Sequence, residues 1–173
     1  MSGHSKWHQI KHKKGVTDQK RGQLFSKILK AVSVAARDNP DPQFNPRLRT
    51  LIEKAKINNI PSDNIERALK KSSDDKELYE VVIEAYGPEK TALIIEGITD
   101  NKNRTIAEIK TILSENGAKM ADQGSVLWAF KSIHGQWQAQ FPQIVSDTTR
   151  KKISELMEKL EAHEDVQGVI SNI

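Results

Sequence analysis

The sequence predicts an α+β protein in which a domain of three helices precedes a ferredoxin-like α/β sandwich. Before residue 72, apolar residues recur every three or four positions, as on one face of a helix. After residue 78, apolar and polar residues alternate in short runs, as in strands. The segment between them, Ser-Ser-Asp-Asp-Lys at 72–76, has no periodicity and predicts a linker. We therefore expect two domains, residues 1–75 and 76–173.

The first predicted helix begins at a cap on Thr17 or Asp18 and carries an apolar stripe from Leu24 to Ala35. It ends at Asn-Pro-Asp-Pro, residues 39–42, because proline cannot continue a helix. This helix supplies the longest apolar face of the first domain.

Two shorter helices complete the predicted bundle. The second begins with Asn45 as N-cap and Pro46 at the first helical position, and it ends before Pro61. The third begins one or two residues later, where Asp63 and Glu66 have the spacing of a capping box.

The second domain is predicted to combine five strands with two helices. In the first strand, the alternation places both glutamates, Glu80 and Glu84, on the face opposite the apolar residues. In the first helix, Ile106, Ile109 and Leu113 are expected to point inward, and a glycine ends it. The predicted strands are 79–86, 92–98, 124–130, 136–141 and 166–170, and the helices are 103–115 and one capped by Asp147 or Thr148.

Charge divides the chain at the same linker. Residues 1–71 contain 16 Lys and Arg against 6 Asp and Glu, a net charge of +10, whereas residues 72–173 have 11 against 17, a net charge of −6. A solubilising surface normally mixes both signs, but the first thirty residues contain eight basic residues and a single acidic one, Asp18. Such a field attracts polyanions and indicates nucleic-acid binding.

Several classes of protein are disfavoured by composition. The chain has no cysteine, which excludes disulfides and thiolate chemistry. It has no apolar run near the roughly 20 residues that span a bilayer, and no apolar core of a secretory signal. We expect a cytoplasmic protein with no membrane partner.

An enzyme or a metal protein is also disfavoured. His4, His8 and His12 recur every four residues, but lysines surround them and no carboxylate precedes Asp18, so a cation would meet a positive field. No phosphate-binding glycine loop, nucleophile elbow or zinc-protease spacing is present. We predict neither a cofactor nor a small-molecule substrate.

The strongest constellation is Gly-His-Ser-Lys-Trp at 3–7, followed by Ile-Lys-His-Lys-Lys at 10–14. Lysine ammonium groups neutralise phosphates, and the Trp7 indole can stack on an unpaired base. Alternatively, Trp7 is a hydrophobic anchor that packs this arm onto the bundle.

With further motifs in order along the chain, these residues resemble the YebC/PmpR family. The additional motifs are Lys20-Arg21-Gly22, Asn45-Pro46-Arg47-Leu48-Arg49, Pro61 to Ala68, Tyr86-Gly87-Pro88, Thr99 to Thr105, Gly124-Ser125-Val126 and Glu164 to Val169. The resemblance implies a bacterial-type cytoplasmic protein, a probable transcriptional regulator, related to mitochondrial translational activators and linked to ribosome function. Typical members carry a third domain before the last helix; here residues 131–146 alone fill that gap, which predicts a short, two-domain form.

The resemblance and the charge pattern together nominate nucleic-acid contacts. Arg67 could instead pair with Asp63, four residues earlier, and Arg104 could instead belong to a strand-to-helix turn capped by a neighbouring side chain. The predicted contacts are Lys6, Trp7, Lys11, Lys13, Lys14, Lys20, Arg21, Arg47, Arg49, Arg67, Lys70, Lys71 and Arg104.

Two functions remain open from the sequence. One is a DNA-binding transcriptional regulator, and the other is a translation factor that binds ribosomal RNA or the ribosome. The sequence shows no clear helix-turn-helix pair with base-reading side chains, which counts against operator readout. A third option is a structural partner protein that uses its acidic domain.

Overall fold

The chain folds into two compact units, Met1–Asp75 and Lys76–Ile173. The computed structural model describes residues 3–70, 77–133 and 135–173, with side chains described from residue 17 onward. Helices precede an antiparallel sheet packed with helices, which confirms the predicted α+β class. Within the described residues, no helix is long and apolar enough to cross a membrane.

The first unit consists of helices α1 (Gly3–Asp38), α2 (Pro46–Ile57) and α3 (Ser62–Lys70). Their apolar faces meet in one core of aliphatic side chains, in which Val32, Leu48 and Ala55 are completely buried. These residues occur at the helical spacing that predicted the bundle.

Helix α1 begins at Gly3, so the predicted start at Thr17 or Asp18 is wrong. That prediction relied on the apolar stripe, whose first residue is Leu24. Once a helix is nucleated, each further residue adds a hydrogen bond and needs no apolar contact. The segment before Thr17 contains no proline, and the helix therefore continues through it.

Asn45 joins the end of α1 to the start of α2. Its Oδ1 accepts a hydrogen bond from the Leu48 amide at 2.9 Å, which confirms the predicted N-cap. Its Nδ2 donates to the carbonyl oxygens of Ala35 and Asn39, each at 2.8 Å. This buried amide thus satisfies backbone groups at both helix ends.

Helix α3 begins at Ser62, within the predicted start, but its cap differs from the predicted capping box. The Pro61 carbonyl accepts hydrogen bonds from the amides of Asn64 and Ile65, so Asp63 lies inside the first turn instead of capping it. Its carboxylate is still favourable there, near the positive end of the helix dipole.

The second unit contains a four-stranded sheet in the order β3-β1-β2-β6 and a separate two-stranded hairpin of β4 and β5. Each described strand pair is antiparallel. In chain order, the elements are β1 (Tyr79–Tyr86), β2 (Ala92–Thr99), α4 (Lys102–Glu115), β3 (Lys119–Met120), β4 (Phe130–Ile133), β5 (Gln136–Ala139), α5 (Asp147–Glu161) and β6 (Val166–Ser171).

Helices α4 and α5 pack on one face of the sheet, around Leu93, Ile109 and Leu156. This is the layer arrangement of a ferredoxin-like sandwich, an antiparallel sheet with two helices on one side. The elements of the sandwich follow one another as strand-strand-helix-strand-helix-strand, whereas ferredoxin-like chains alternate as βαββαβ.

Part of the other sheet face is covered as well. Ile94 of β2 packs there against Val126, Ala129 and Phe130, although residues 124–130 were predicted to form a strand. Residues 127–129 instead form a 3₁₀ turn, and β4 starts at Phe130. The prediction failed because a strand needs a neighbouring strand to hydrogen-bond with, and the alternation of apolar residues does not show whether one is present.

The Glu84 side chain, and not a neighbouring strand, binds the backbone amides of this segment. Its carboxylate accepts the backbone amides of Gly124, Val126 and Leu127, the last two at 2.8 and 3.1 Å. Glu84 lies on the face opposite Ile83 and Ala85, as predicted, but it is only 5% exposed because the segment 124–127 covers it. Glu80, on the same face, is exposed.

Smaller differences concern individual positions. Ile109 and Leu113 are buried as predicted, but Ile106 is exposed. Ser146, and not Asp147 or Thr148, caps α5 by accepting the Thr149 amide.

Candidate nucleic-acid interface

Five of the predicted contacts lie on the first turns of α1: Lys6, Trp7, Lys11, Lys13 and Lys14. Their side chains lie outside the described residues, so their contacts stay predictions. The backbone nevertheless shows that they belong to a continuous helix of 36 residues. At 1.5 Å per residue, this helix is about 54 Å long, which makes it a stiff support for basic groups.

Residues 17–24 of α1 are exposed throughout, whereas Ile28, Val32 and Ala35 are buried in the bundle. The exposed stretch contains Lys20 and Arg21. The Arg21 guanidinium lies 5.2 Å from the centre of the Phe25 ring, a cation–π contact that limits its orientations and leaves its donors in solvent.

The two predicted contacts on α2, Arg47 and Arg49, are both exposed. Being two positions apart, they lie about 200° apart around the helix axis, on opposite sides of the buried Leu48. They therefore cannot grip the same part of one ligand.

The sequence interpretation overlooked two exposed lysines on α2. Lys54 lies seven positions after Arg47, and Lys56 seven positions after Arg49, so each arginine has a lysine two turns away on its own edge. The seven-residue spacing was the signal that could have identified them. Helix α2 thus has two basic edges, of which either can face a polyanion.

Helix α3 has a mixed surface. Arg67 and Lys70 are exposed, but so are Asp63 and Glu66. Of the described ion pairs, none joins Arg67 to Asp63, so the predicted alternative for Arg67 is not formed. Lys71 lies outside the described residues. With acids near its start and bases near its end, α3 complements its own dipole.

Arg104 lies in the second unit, inside a hydrogen-bonded network. Its Nη2 donates to Asp165 Oδ2 at 2.8 Å and lies 3.1 Å from Asp100 Oδ1. The Thr105 hydroxyl donates to the same Asp165 oxygen at 2.7 Å, and Asp165 is completely buried. The hydrogen bond with Asp165 raises the pKa of Arg104 above its ordinary value.

The segment around Arg104 therefore links the end of β2 and the start of α4 to Asp165, the residue before β6. Asn101 accepts the Arg104 amide at 3.1 Å, which confirms the predicted capped strand-to-helix turn. A nucleic-acid contact by Arg104 stays a prediction, with 38% of its side chain exposed.

Together, these features define a two-unit protein in which a basic helical unit precedes an acidic α+β sandwich. The chain belongs to the TACO1/YebC family, in agreement with the resemblance seen in its motifs. Residues 5–75 match the TACO1/YebC protein N-terminal domain, and residues 78–134 match the model of the TACO1/YebC second and third domain.

Curated relatives include proteins of Halothermothrix orenii and Trichlorobacter lovleyi, each named a probable transcriptional regulatory protein. The first is 53% identical over 135 residues, covering 76% of this chain and 53% of the relative. The second is 52% identical over 134 residues, covering 75% and 54%. The chain thus spans about half the length of the curated relatives it matches.

A solved structure shares the fold. The crystal structure of a conserved hypothetical protein from Aquifex aeolicus superposes with a TM-score of 0.81 at 29% sequence identity, covering 90% of each chain.

Proposed function

We propose that this protein is a non-enzymatic, cytoplasmic regulator of gene expression that binds nucleic acid through its first unit. The separation of charge is the observation that carries the proposal: residues 1–71 have a net charge of +10, and the rest of the chain −6. Only the first unit therefore attracts a polyanion, and its affinity comes largely from counterion release.

Helix α1 is the main contact element in this proposal. Positions 6, 13, 20 and 27 are all lysine, at intervals of seven residues, and so follow one side of the helix at steps of about 10.5 Å. Lysines spaced along one side of a helix supply point charges to a phosphate backbone without reading bases.

We propose a DNA-binding transcriptional regulator as the first candidate. Its support is the naming of the relatives at about half identity, together with the basic surface described above. Arg49 and Lys56 on one edge of α2 are suited to position a DNA backbone.

One observation favours the second candidate, a translation factor that binds ribosomal RNA or the ribosome. Four residues separate α2 from α3, as in a helix-turn-helix, which would place α3 in the major groove. The exposed residues at the start of α3 include Asp63 and Glu66, which repel phosphates where a recognition helix contacts DNA. A protein that binds the phosphate backbone without reading bases is suited to a structured RNA, which is recognised by shape and backbone contacts.

A side-by-side binding measurement at matched salt distinguishes the two candidates. Promoter DNA, random DNA and ribosomal RNA are titrated with the full chain. Promoter binding at least about 10³-fold tighter than random DNA supports the regulator. Equal DNA affinities with tighter binding to ribosomal RNA would favour the translation factor.

The contact surface has its own test. Changing Lys11, Lys13 and Lys14 together to alanine should weaken binding and reduce the slope of log affinity against log salt by up to about 0.9 per lost phosphate contact on duplex DNA. The control removes the same charge from the second unit, as Lys110→Ala, Lys131→Ala and Lys151→Ala. Equal slopes for the two triple variants would contradict the proposed surface.

A further inference from the structure

Phe44 is an exposed aromatic side chain in the basic first unit. It lies in the loop between α1 and α2, immediately before the N-cap Asn45, and it is 75% exposed. A phenyl ring is among the side chains whose burial stabilises a small domain most. The core of this unit is nevertheless formed by other residues, so Phe44 contributes little to the fold.

Hydrogen bonds fix the backbone on both sides of Phe44. The Asp41 carboxylate accepts the Gln43 amide at 2.8 Å, and the Asp41 carbonyl accepts the Phe44 amide at 3.1 Å. On the other side, the buried Asn45 side chain binds the end of α1 and the first turn of α2. The ring therefore projects from a fixed backbone, and little backbone entropy is lost when a ligand covers it.

The start of α2 explains why the ring is not covered by the bundle. With Asn45 as N-cap, Phe44 is the residue before the cap and Arg49 is the fourth residue of the helix. In many helices both of these positions are apolar, and their side chains pack on each other as a hydrophobic staple. Here the second position is an exposed arginine. A ring and a guanidinium thus take the two places of the staple.

Positive charge continues along this edge of α2. Lys56 is exposed and lies two turns after Arg49, about 10.5 Å further along the helix axis. The loop at 39–45 contains a single carboxylate, that of Asp41, which already accepts the Gln43 amide. An aromatic ring followed by an arginine and a lysine is complementary to a nucleotide strand, in which planar bases alternate with phosphates.

We propose that Phe44 stacks on an unpaired base of a bound nucleic acid, while Arg49 and Lys56 bind phosphates of the same strand. This inference rests on the proposed function and names its substrate class: single-stranded segments, loops or bulges, of RNA or DNA. Within a duplex, neighbouring bases cover both faces of each base, so the ring finds no free face there. Every base has a π face, so the contact adds affinity without sequence preference.

Binding of one unstructured strand to the full chain at matched salt tests the proposal. The strand is supplied as RNA and as DNA, each alone and paired with its complement. Phe44→Ala should weaken single-strand binding about tenfold or more, and duplex binding less than about twofold. The slope of log affinity against log salt should not change, because no charge is removed. The polymer that loses more affinity supplies the stacked base.

Two further variants separate stacking from apolar contact. Phe44→Leu should lose nearly as much single-strand affinity as Phe44→Ala, because leucine has no π face. Phe44→Trp should bind at least as tightly as the parent protein, because the indole offers a larger stacking surface. Parental affinity in Phe44→Leu would overturn the proposal.

Phe141→Ala is the matched control, because it removes an exposed phenyl ring from the acidic second unit, where Phe141 is 52% exposed. It should bind like the parent, and far-UV circular dichroism should be unchanged in each variant. A comparable loss in Phe141→Ala, or equal losses on single strand and duplex in Phe44→Ala, would overturn the stacking alone. A parent protein that binds neither form would overturn the proposed function together with the stacking.

Discussion

The two units use their charged residues in opposite ways. In the first unit, the core is aliphatic and residues such as Lys20, Arg49 and Arg67 are exposed. In the second unit, Glu84 and Asp165 are buried, and each carboxylate accepts hydrogen bonds from groups that would otherwise be unsatisfied. Burial of a carboxylate is tolerated only with such partners.

This difference shows that the polar motifs of the two units have different physical roles. In the second unit, two of these motifs supply hydrogen-bond donors to buried carboxylates. Thr105 of the Thr99 to Thr105 motif binds Asp165, and Val126 of the Gly124-Ser125-Val126 motif binds Glu84. The basic motifs of the first unit include exposed side chains whose charges are available to solvent or to a ligand. Removing a buried charge should therefore reduce the stability of the second unit, whereas removing an exposed basic charge should reduce the affinity of the first unit for a ligand.

The largest effect should come from Asp165→Ala. Loss of this carboxylate leaves Arg104 and Thr105 without their buried acceptor and should lower the free energy of unfolding by about 3 kcal/mol. Urea unfolding followed by tryptophan fluorescence measures the loss, with Trp128 and Trp137 in this unit and Trp7 in the first.

Two controls test the contrast between the units. Asp122→Ala removes an exposed carboxylate from the same unit, and Arg49→Ala removes an exposed charge from the other. Each should change the free energy of unfolding by less than about 0.5 kcal/mol. A comparable loss in Arg49→Ala would show that both units depend on their charges for stability.

A smaller effect of opposite sign is expected at Lys90. Its φ of 58° lies in the left-handed region, which is strained for a residue with a Cβ. Lys90→Gly should raise the free energy of unfolding by about 0.5–1 kcal/mol, whereas Lys110→Gly, inside α4, should lower it by about 1 kcal/mol. Destabilisation by both changes would exclude strain at Lys90.

The smallest effect concerns the acid stability of the α5 start. Hydrogen bonds from the Thr149 and Ser146 hydroxyls lower the pKa of Glu89. A carboxyl with a lowered folded-state pKa contributes stability above its unfolded pKa, and this is lost as pH falls through the folded value. Thr149→Val should therefore flatten the decline of stability between neutral pH and the lowered pKa.

Thr148→Val is the control for this prediction, since Thr148 is the exposed neighbour. Thermal unfolding over a pH series compares the three proteins. If Thr149→Val and the parent lose stability equally on acidification, Glu89 does not have the lowered pKa described here.

The helices and long strands were predictable because local rules decide them. Asn45 and the prolines around it predicted the start of α2, and the glycine after α4 has the expected positive φ of 71° at Gly117. The features that were not predicted share a cause. The extent of α1, the turn at 127–129 and the burial of Glu84 depend on partners or on helix propagation that no local pattern encodes.

The candidate contacts divide in the same manner. Charge and motif order were sufficient to nominate residues of α1, α2 and α3, because exposed basic residues need no tertiary partner to be recognised. They were insufficient for Arg104, whose role in the fold depends on Asp165, 61 positions later in the chain. They also could not show that Arg47 and Arg49 lie on opposite edges until the helix was established.

The sequence by itself determined the α+β class, the basic and acidic halves, and the family. These follow from composition, period and motif order, which are properties of the chain alone. Only the tertiary structure decided which polar motif residues are buried and which are exposed. Burial depends on what lies across from a side chain: three amides from a distant turn enclose Glu84, while residues 17–24 of α1 remain in solvent.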